Sequence, residues 1–161
     1  MHVHLKRSAG EPVIADPVVR VWHGMLRVHA DLIAALEHAL RSGHGLSASE
    51  FDVLINIGPR EQVRHGQLAD RVVLTRTALT RLVDRLVERG WLTRSRPEAD
   101  QRGVVVTLTE AGRRVRAASA RTNAETVRRY FACLTPAELT ALGELTGDLR
   151  RRNHPPRGES E

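Results

Sequence analysis

Residues 75–108, which read TRTALTRLVDRLVERGWLTRSRPEADQRGVVVTL, decide the fold of this chain. In the first half of the stretch, apolar residues recur at the three- and four-residue spacing that places them on one face of an α-helix. These residues are Leu79, Leu82, Val83, Leu86 and Val87. The opposite face is polar, with three arginines, and it consists of Arg76, Thr77, Thr80, Arg81, Asp84 and Arg85. One face can therefore be buried while the other offers hydrogen bonds and positive charge, which favours a helix that enters a DNA major groove.

The second half of the stretch predicts a β-hairpin. Gly90 is a natural residue to follow the last turn of the helix, and Trp91 is placed for the hydrophobic contact that accompanies such an ending. Trp91–Arg96 and Val104–Leu108 are rich in β-branched or bulky residues and flank the charged segment Pro97–Gly103. We therefore expect two strands joined by a charged, mobile tip.

Two further short helices are predicted upstream. Ser47 and Glu50 have the spacing of a capping box, and Leu46 and Phe51 occupy the positions of a hydrophobic staple. The helix that begins there should end at the Gly58-Pro59 pair, because neither residue continues a helix well.

A polar connection should follow, and then a short third helix. This helix is predicted over Gln67–Val73, with Leu68, Val72 and Val73 facing inward. Thr75 is a good N-cap for the helix of the opening stretch. The order helix, helix, helix, hairpin is that of a winged helix-turn-helix.

Longer helices are predicted on both sides of this unit. Upstream, Val18–Arg41 carries apolar or half-apolar residues four and three positions apart, in a seam that favours a helical partner, and Ser42–Gly45 should end it. The seam consists of Val18, Trp22, Met25, His29, Leu32, Leu36 and Ala39.

Two more helices are expected downstream of the hairpin. Thr109 should cap a long helix that extends to about Cys133. Thr135 and Glu138 have the spacing of another capping box, and the tail from Arg150 has a composition typical of disorder. Four leucines line one face of the last helix, namely Leu139, Leu142, Leu145 and Leu149.

The fold class that follows is mainly α with a small two-stranded β-wing. We divide the chain into a flexible arm (1–17), a helical dimerisation region (18–45 and 109–152), a winged helix-turn-helix (46–108) and a disordered tail (153–161). The long helices are too many to cover so small a unit, and their apolar seams predict a two-fold homodimer.

Composition limits the functional classes. The chain has 161 residues, a formal net charge of +6 and a single cysteine. The positive charge favours nucleic acid as a partner, with solubility alone as the alternative. With no run of eighteen apolar residues and no apolar leader segment, we expect a cytoplasmic protein rather than a membrane or secreted one.

The motifs of this chain, taken together, resemble those of a known family. Its order and spacing of motifs are similar to those of the multiple antibiotic resistance regulator (MarR) family of transcription factors. The matching segments are FDVL at Phe51–Leu54, LADR at Leu68–Arg71, LTRLVDRLVERGWLTR at Leu79–Arg94, D-x-R at Asp100–Arg102 and LTEAG at Leu108–Gly112. The resemblance implies a homodimer that binds a pseudo-palindromic operator in double-stranded DNA, most often as a repressor. It also implies release by a small phenolic or anionic effector, or in some relatives by oxidation of a cysteine.

DNA-contacting residues follow from the helix pattern and the resemblance together. For base contacts we predict residues in the first two turns of the helix that begins after Thr75, and these are Arg76, Thr77, Thr80 and Arg81. Arg102 is expected in a minor groove, and Asp100 is expected to hold Arg94 or Arg96 so that the wing keeps its shape. Phosphate contacts are predicted for Arg85, Arg94 and Arg96. The alternative is that these side chains are ordinary solvated polar groups.

An effector site is predicted where the dimerisation helices meet the DNA-binding region. Trp22, His23 and Asp52 should converge there, with a core role for Trp22 and a salt-bridge role for Asp52 as the alternatives. Cys133 is expected to be a buried, inert thiol, with a redox-sensing role as the rival interpretation. No metal or cofactor is expected, since no HxxxH or CxxC motif occurs.

An enzyme and a protein-binding module are the alternatives to a DNA-binding regulator. No Ser/His/Asp constellation, glycine-rich phosphate loop or cluster of metal ligands supports an enzyme. A winged-helix module that binds protein instead of DNA is the remaining alternative. It would show little dependence on salt, whereas a DNA-binding protein loses affinity steeply as salt rises.

Overall fold

The computed structural model describes residues 16–96 and 103–153. It is a mostly helical winged helix-turn-helix with long flanking helices, as predicted. The helices are α1 (Pro17–His44), α2 (Ala48–Ile55), α3 (His65–Arg71), α4 (Arg76–Glu88), α5 (Glu110–Tyr130) and α6 (Pro136–Asn153), with a 3₁₀ turn at Phe131–Cys133. The strands are β1 (Gln62–Arg64), β2 (Leu92–Ser95) and β3 (Val105–Leu108). Within the described residues, no helix is long and apolar enough to span a lipid bilayer.

The sheet has three strands where the sequence predicted two. The antiparallel order is β1-β3-β2, with Val63 of β1 opposite Val106 of β3. Strand β1 lies in the segment predicted to be a polar connection. Val63 is its only apolar residue and is fully buried. One apolar residue gives no alternating pattern, so this strand depends on its pairing with β3 rather than on a local signal.

The core lies mainly in residues 46–108, which we call the winged lobe, and also includes Leu36 and Leu40 of α1. Helix α4 buries the predicted face, with Leu79, Leu82, Val83 and Leu86 inside and Val87 half-buried. The other fully buried large side chains come from the end of α1, from α2 and α3, and from the sheet. They are Leu40, Leu46, Val53, Leu54, Ile57, Val63, Leu68, Leu92 and Val106.

Side-chain caps fix where the helices begin. Ser47 and Glu50 form the complete predicted capping box on α2. The hydroxyl of Thr75 accepts a hydrogen bond from the Ala78 N–H (3.2 Å) at the start of α4. The backbone N–H of Thr135 donates to the Glu138 carboxylate (2.7 Å) at the start of α6. These three helices therefore begin where the sequence predicted.

The end of α4 sets the angle at which the hairpin leaves it. Gly90 has φ +70°, and its N–H donates to the Val87 carbonyl (2.8 Å). The N–H of Trp91 donates to the Leu86 carbonyl (2.9 Å), which completes a Schellman ending. This is the ending that the Gly-Trp pair predicted.

Several predicted boundaries were wrong. Helix α2 ends at Ile55 rather than at Gly58, and α3 ends at Arg71, so Val73 is 97% exposed instead of facing inward. At the other end of the chain, α6 continues to Asn153. Residues 150–153 are therefore helical, although their composition suggested a disordered tail.

The long helices pack unequally in the single chain. Helix α1 lies along α5, where the Tyr130 hydroxyl donates to the Val28 carbonyl (3.3 Å) and His44 hydrogen-bonds to Thr122 (2.7 Å). Helix α6 buries none of its residues. Its four leucines and the apolar residues of the first half of α1 are exposed, including Trp22.

Candidate nucleic-acid interface

Helix α4 presents a polar face to solvent from a firmly held position. Leu79 and Val83 anchor the helix in the core, and the Thr75 cap fixes its first turn. The predicted DNA-contacting residues of this helix are all exposed, and they are Arg76, Thr77, Thr80, Arg81 and Arg85. The side chains that the sequence assigned to base and phosphate contacts therefore share one accessible surface. This α4 face is suited to a major groove because Arg and Thr offer donors to base edges and phosphates.

An ion pair ties the hairpin to this helix. The Arg94 guanidinium of β2 is paired with the Asp84 carboxylate of α4, and its other terminal nitrogen donates to the Thr80 carbonyl (3.4 Å). We predicted Arg94 as a phosphate contact or as the partner of Asp100. The structure pairs it with Asp84, on the polar face of α4, while Asp100 lies outside the described residues. Arg94 therefore positions the wing against α4.

Of the remaining predicted wing residues, only Arg96 lies within the described part of the chain. Arg96 is exposed where β2 leads into the hairpin tip, a position that can reach a phosphate. Asp100 and Arg102 lie outside the described residues.

Arg85 is exposed but stays near a buried carboxylate. Its Nε lies 3.6 Å from Glu50, and a guanidinium nitrogen of Arg89 lies 3.7 Å from the same carboxylate. Glu50 is only 7% exposed and also completes the α2 capping box. Arg89 in turn stacks 3.6 Å over the Trp91 ring. This cluster links α2, α4 and the start of the hairpin through contacts between side chains.

His65 is a residue of this surface that the sequence reasoning missed. Its Nε2 lies 3.4 Å from the Thr80 hydroxyl, which also donates to the Arg76 carbonyl (3.0 Å). Burial, with a further contribution from the positive charge of Arg94, lowers the pKa of His65. The imidazole is therefore biased toward its neutral form, in which one ring nitrogen donates and the other accepts.

The cleft around His65 lies between the start of α3 and the base of the hairpin. It has a volume of about 530 Å³ and is lined by Arg64, His65, Gly66, Gln67, Thr80, Arg94, Gly103 and Val104. This cleft was not predicted from the sequence, because its residues come from four separate segments. Only the dense run of polar residues before Leu68 could have drawn attention to α3.

A second cavity, of about 460 Å³, lies between α1, α2, the α3–α4 turn and α5. Asp52 lines it, as predicted for the effector site, but Trp22 and His23 do not. The residues of α1 that line it are His29, Ile33, Leu36 and Leu40, and even the first of these lies two helical turns after Trp22, roughly 10.5 Å further along the axis. The predicted convergence of Trp22 and His23 with Asp52 is therefore absent from the single chain.

Asp52 is the half-buried carboxylate of this cavity. Burial raises its pKa, while hydrogen bonds from the Val73 backbone N–H and from the Asn56 side chain oppose that shift. The Asn56 amide donates to the Asp52 carboxylate at 3.0 Å. Asp52 thus joins α2 to the turn that precedes α4.

Cys133 is exposed in the 3₁₀ turn after α5, which corrects the prediction of a buried thiol. The predicted helix ends early, at Tyr130, and the turn carries the thiol away from the α1–α5 contact. Among the described residues, no group of three or more His, Cys, Asp or Glu could hold a metal ion.

Comparison with known proteins decides the family. The MarR family model matches residues 46–104. Over 107 residues the chain is 31% identical to the uncharacterized HTH-type transcriptional regulator YpoP of Bacillus subtilis, covering 66% of this chain and 76% of that protein. The chain belongs to the MarR family.

Solved structures of MarR-family proteins agree. Sco3205 of Streptomyces coelicolor, crystallised in complex with DNA, is 28% identical with a TM-score of 0.75, covering 86% of this chain and 92% of that one. Apo MarR of Escherichia coli is 27% identical with a TM-score of 0.70, covering 83% and 97%. Like its relatives, this MarR-family chain is a DNA-binding transcriptional regulator and not an enzyme.

Proposed function

We propose that this regulator is a homodimeric repressor that binds a pseudo-palindromic operator and is released by a small ligand. The observation that carries the DNA-binding part is the exposed cationic face of α4, held at a fixed angle to the hairpin by the Arg94–Asp84 pair. Arg76, Thr77, Thr80 and Arg81 would contact bases. Arg85, Arg96 and Arg102 would contact the DNA backbone or minor groove, with Asp100 shaping the wing.

The homodimer is supported by apolar surface that the single chain leaves uncovered. Val18, Trp22 and Met25 of α1 and Leu142 and Leu145 of α6 are all exposed. Burying such side chains against a second copy is favourable by about 25 cal/mol per Å² of apolar area. We therefore assign 18–45 and 109–152 to dimerisation, and 46–108 to DNA binding.

Ligand release is supported by where the Asp52 cavity lies. Its wall includes Val73 and Leu74, and the next residue is Thr75, the cap of α4. A ligand there would move α4 relative to the dimerisation helices. Because two recognition helices must sit about 34–36 Å apart to fit successive major grooves, a change in their spacing weakens binding. The ligand shifts this equilibrium only by its differential affinity for the two spacings.

Arg81→Ala tests the DNA-binding part most simply. We expect operator affinity to fall at least tenfold, since a bidentate Arg–guanine contact is worth about 1–3 kcal/mol. Fluorescence anisotropy with a promoter fragment from upstream of the protein's own gene measures this, and size-exclusion chromatography checks the dimer. Arg121→Ala, on the exposed face of α5, is the matched control. Equal operator affinity for Arg81→Ala and the wild type would remove α4 from the role of recognition helix.

The salt dependence of the same binding separates the rival function. A DNA-binding protein loses affinity steeply between low and moderate salt, because each phosphate contact releases counterions. A winged-helix module that binds protein would bind the fragment weakly and nonspecifically under all conditions.

A further inference from the structure

The Asp52 cavity is apolar with a small number of polar groups. Its hydrophobic wall comes from α1, α2 and the α3–α4 turn, and includes Ile33, Leu36, Leu40, Phe51 and Leu74. The polar groups are His29, Ser49, Asp52 and Asn123. A volume of about 460 Å³ with this composition fits one substituted aromatic ring.

The charged residues of the cavity wall determine whether a cationic, neutral or anionic aromatic ligand is favoured. Among the described residues that line the cavity, Asp52 is the carboxylate and neither Lys nor Arg is present. An ionised carboxylate accepts about four hydrogen bonds. The Asn56 amide supplies one for Asp52 (3.0 Å), which leaves capacity for a donor on a ligand. A bound anion would instead meet a like charge in an apolar, poorly screened site.

We propose that this cavity binds a small aromatic ligand that carries a protonated amine, with Asp52 as its counter-ion. A phenolic effector could donate to Asp52 but would leave its charge unpaired, and an anionic effector would lie beside a like charge. The inference rests on the proposed function only in using the same crevice as the effector site. The binding it asserts does not require DNA.

The geometry also shows how such a ligand would reach α4. The Val73 N–H lies close enough to the Asp52 carboxylate to lower its pKa, and Val73 and Leu74 line the same cavity. An ammonium group at Asp52 would compete with this backbone group for the carboxylate. The ligand would therefore loosen the α3–α4 turn at the residue two positions before the Thr75 cap.

Isothermal titration calorimetry on the full chain, without DNA, tests the inference with three probes of the same size. These are benzylamine, benzyl alcohol and benzoate, which are cationic, neutral and anionic at pH 7.5. We expect affinity to fall in that order, with benzylamine at least tenfold tighter than benzoate. Benzoate as the tightest ligand, or no benzylamine binding at millimolar concentrations, would overturn the inference.

Two variants assign the preference to Asp52. Asp52→Asn keeps the size of the side chain and should lose at least tenfold in benzylamine affinity, whereas Glu125→Gln, exposed on α5, should leave it unchanged. Ser49→Arg adds a cation to the same wall and should move the preference toward benzoate, which keeps the inference testable if Asp52→Asn folds poorly. Unchanged benzylamine affinity in Asp52→Asn together with an unchanged preference in Ser49→Arg would contradict it.

A separate anisotropy measurement with operator DNA distinguishes this inference from the proposed function. If benzylamine binds with the expected selectivity and the DNA stays bound, ligand release fails and the inference stands. If DNA is released by benzoate and not by benzylamine, the ligand class proposed here is wrong while ligand-controlled repression survives.

Discussion

The winged lobe and the long flanking helices bury their apolar residues to very different extents. In the lobe, Leu79 and Val83 of α4 are fully buried within one chain. On α6, Leu145 is 69% exposed although it belongs to an equally regular apolar stripe. Both α4 and α6 are capped by side chains at their first residues. A regular apolar spacing and a side-chain cap thus accompany a buried core in the lobe and an exposed apolar surface on α6.

The two regions differ in the origin of the surface that covers each apolar face. The α4 face meets α2 and the sheet of its own chain, so the lobe can fold without a second copy. Among residues 16–96 and 103–153, nothing comparable covers the α6 face, so we propose that its burial belongs to the dimer. Stability of the lobe and assembly of the dimer should therefore respond to different substitutions.

The largest effect on the lobe is expected from Gly112→Ala. A Cβ at position 112 would overlap the Trp91 carbonyl oxygen and lie 2.9 Å from its carbonyl carbon, and backbone atoms cannot rotate away. The same carbonyl accepts the Thr109 N–H (3.0 Å), which fixes the start of α5. We expect a loss of about 3 kcal/mol in the free energy of unfolding, at the upper end of overpacking effects. Urea denaturation measures it.

Gly66→Ala is the matched control for that substitution. A Cβ at position 66 would meet no atom within 4 Å, and the residue lies in the first turn of α3. Its stability should stay within about 1 kcal/mol of the wild type, because alanine is the better helix former. Similar losses for both variants would show that the contact with Trp91 is not what makes Gly112 necessary.

The next effect concerns the long helices. Replacing Leu142 and Leu145 by aspartate should raise the dissociation constant of the dimer about a hundredfold or more. Fully burying a leucine contributes about 1.5–3 kcal/mol. Leu142 and Leu145 are 40% and 69% exposed in the single chain, so the dimer supplies only that part of the gain, and the two-fold symmetry applies each change twice. Analytical ultracentrifugation measures the dimer, and circular dichroism checks that the helices of the lobe persist.

Glu144→Lys, between those leucines on α6, is the control for a change of charge alone. It should leave the dimer intact, because position 144 lies off the leucine stripe. A leucine pair variant that remained dimeric would mean that α6 is not part of the interface.

The smallest expected effect is a pH dependence of stability that belongs to the lobe and not to the dimer. Because the pKa of His65 is lowered in the folded lobe, the unfolded chain binds more protons there, and stability falls as pH decreases through about 6.5 toward the folded-state pKa. His65→Gln should reduce this acid sensitivity of unfolding without altering the dimer. Thermal unfolding at a series of pH values measures it, and an unchanged pH profile in the variant would contradict the lowered pKa.

The parts of this fold that were predicted are the parts with local causes. The α4 face, the Ser47–Glu50 box and the Gly90 ending each depend on residues within a few positions of one another. Strand β1 was missed because its pairing partner lies more than forty residues away. The pairing of Arg94 with Asp84 was likewise not predicted, because the two residues lie on different elements.

The effector site shows the same limit more strongly. Asp52 was placed correctly in the cavity, since it follows the buried Phe51 on a short helix. Trp22 and His23 were not, because the choice of which turn of α1 faces α2 depends on how the two helices cross. Exposure of Cys133 likewise follows from the end of α5 at Tyr130, which no residue signal marked.

We propose that two copies of the α4 face bind successive major grooves of one operator. The decisive experiment lengthens the spacer between the operator half-sites by five base pairs, about half a helical turn. Anisotropy should then show at least a hundredfold loss of affinity, with the altered DNA bound only as tightly as an unrelated sequence. Undiminished affinity for the lengthened operator would contradict the dimeric mode of recognition.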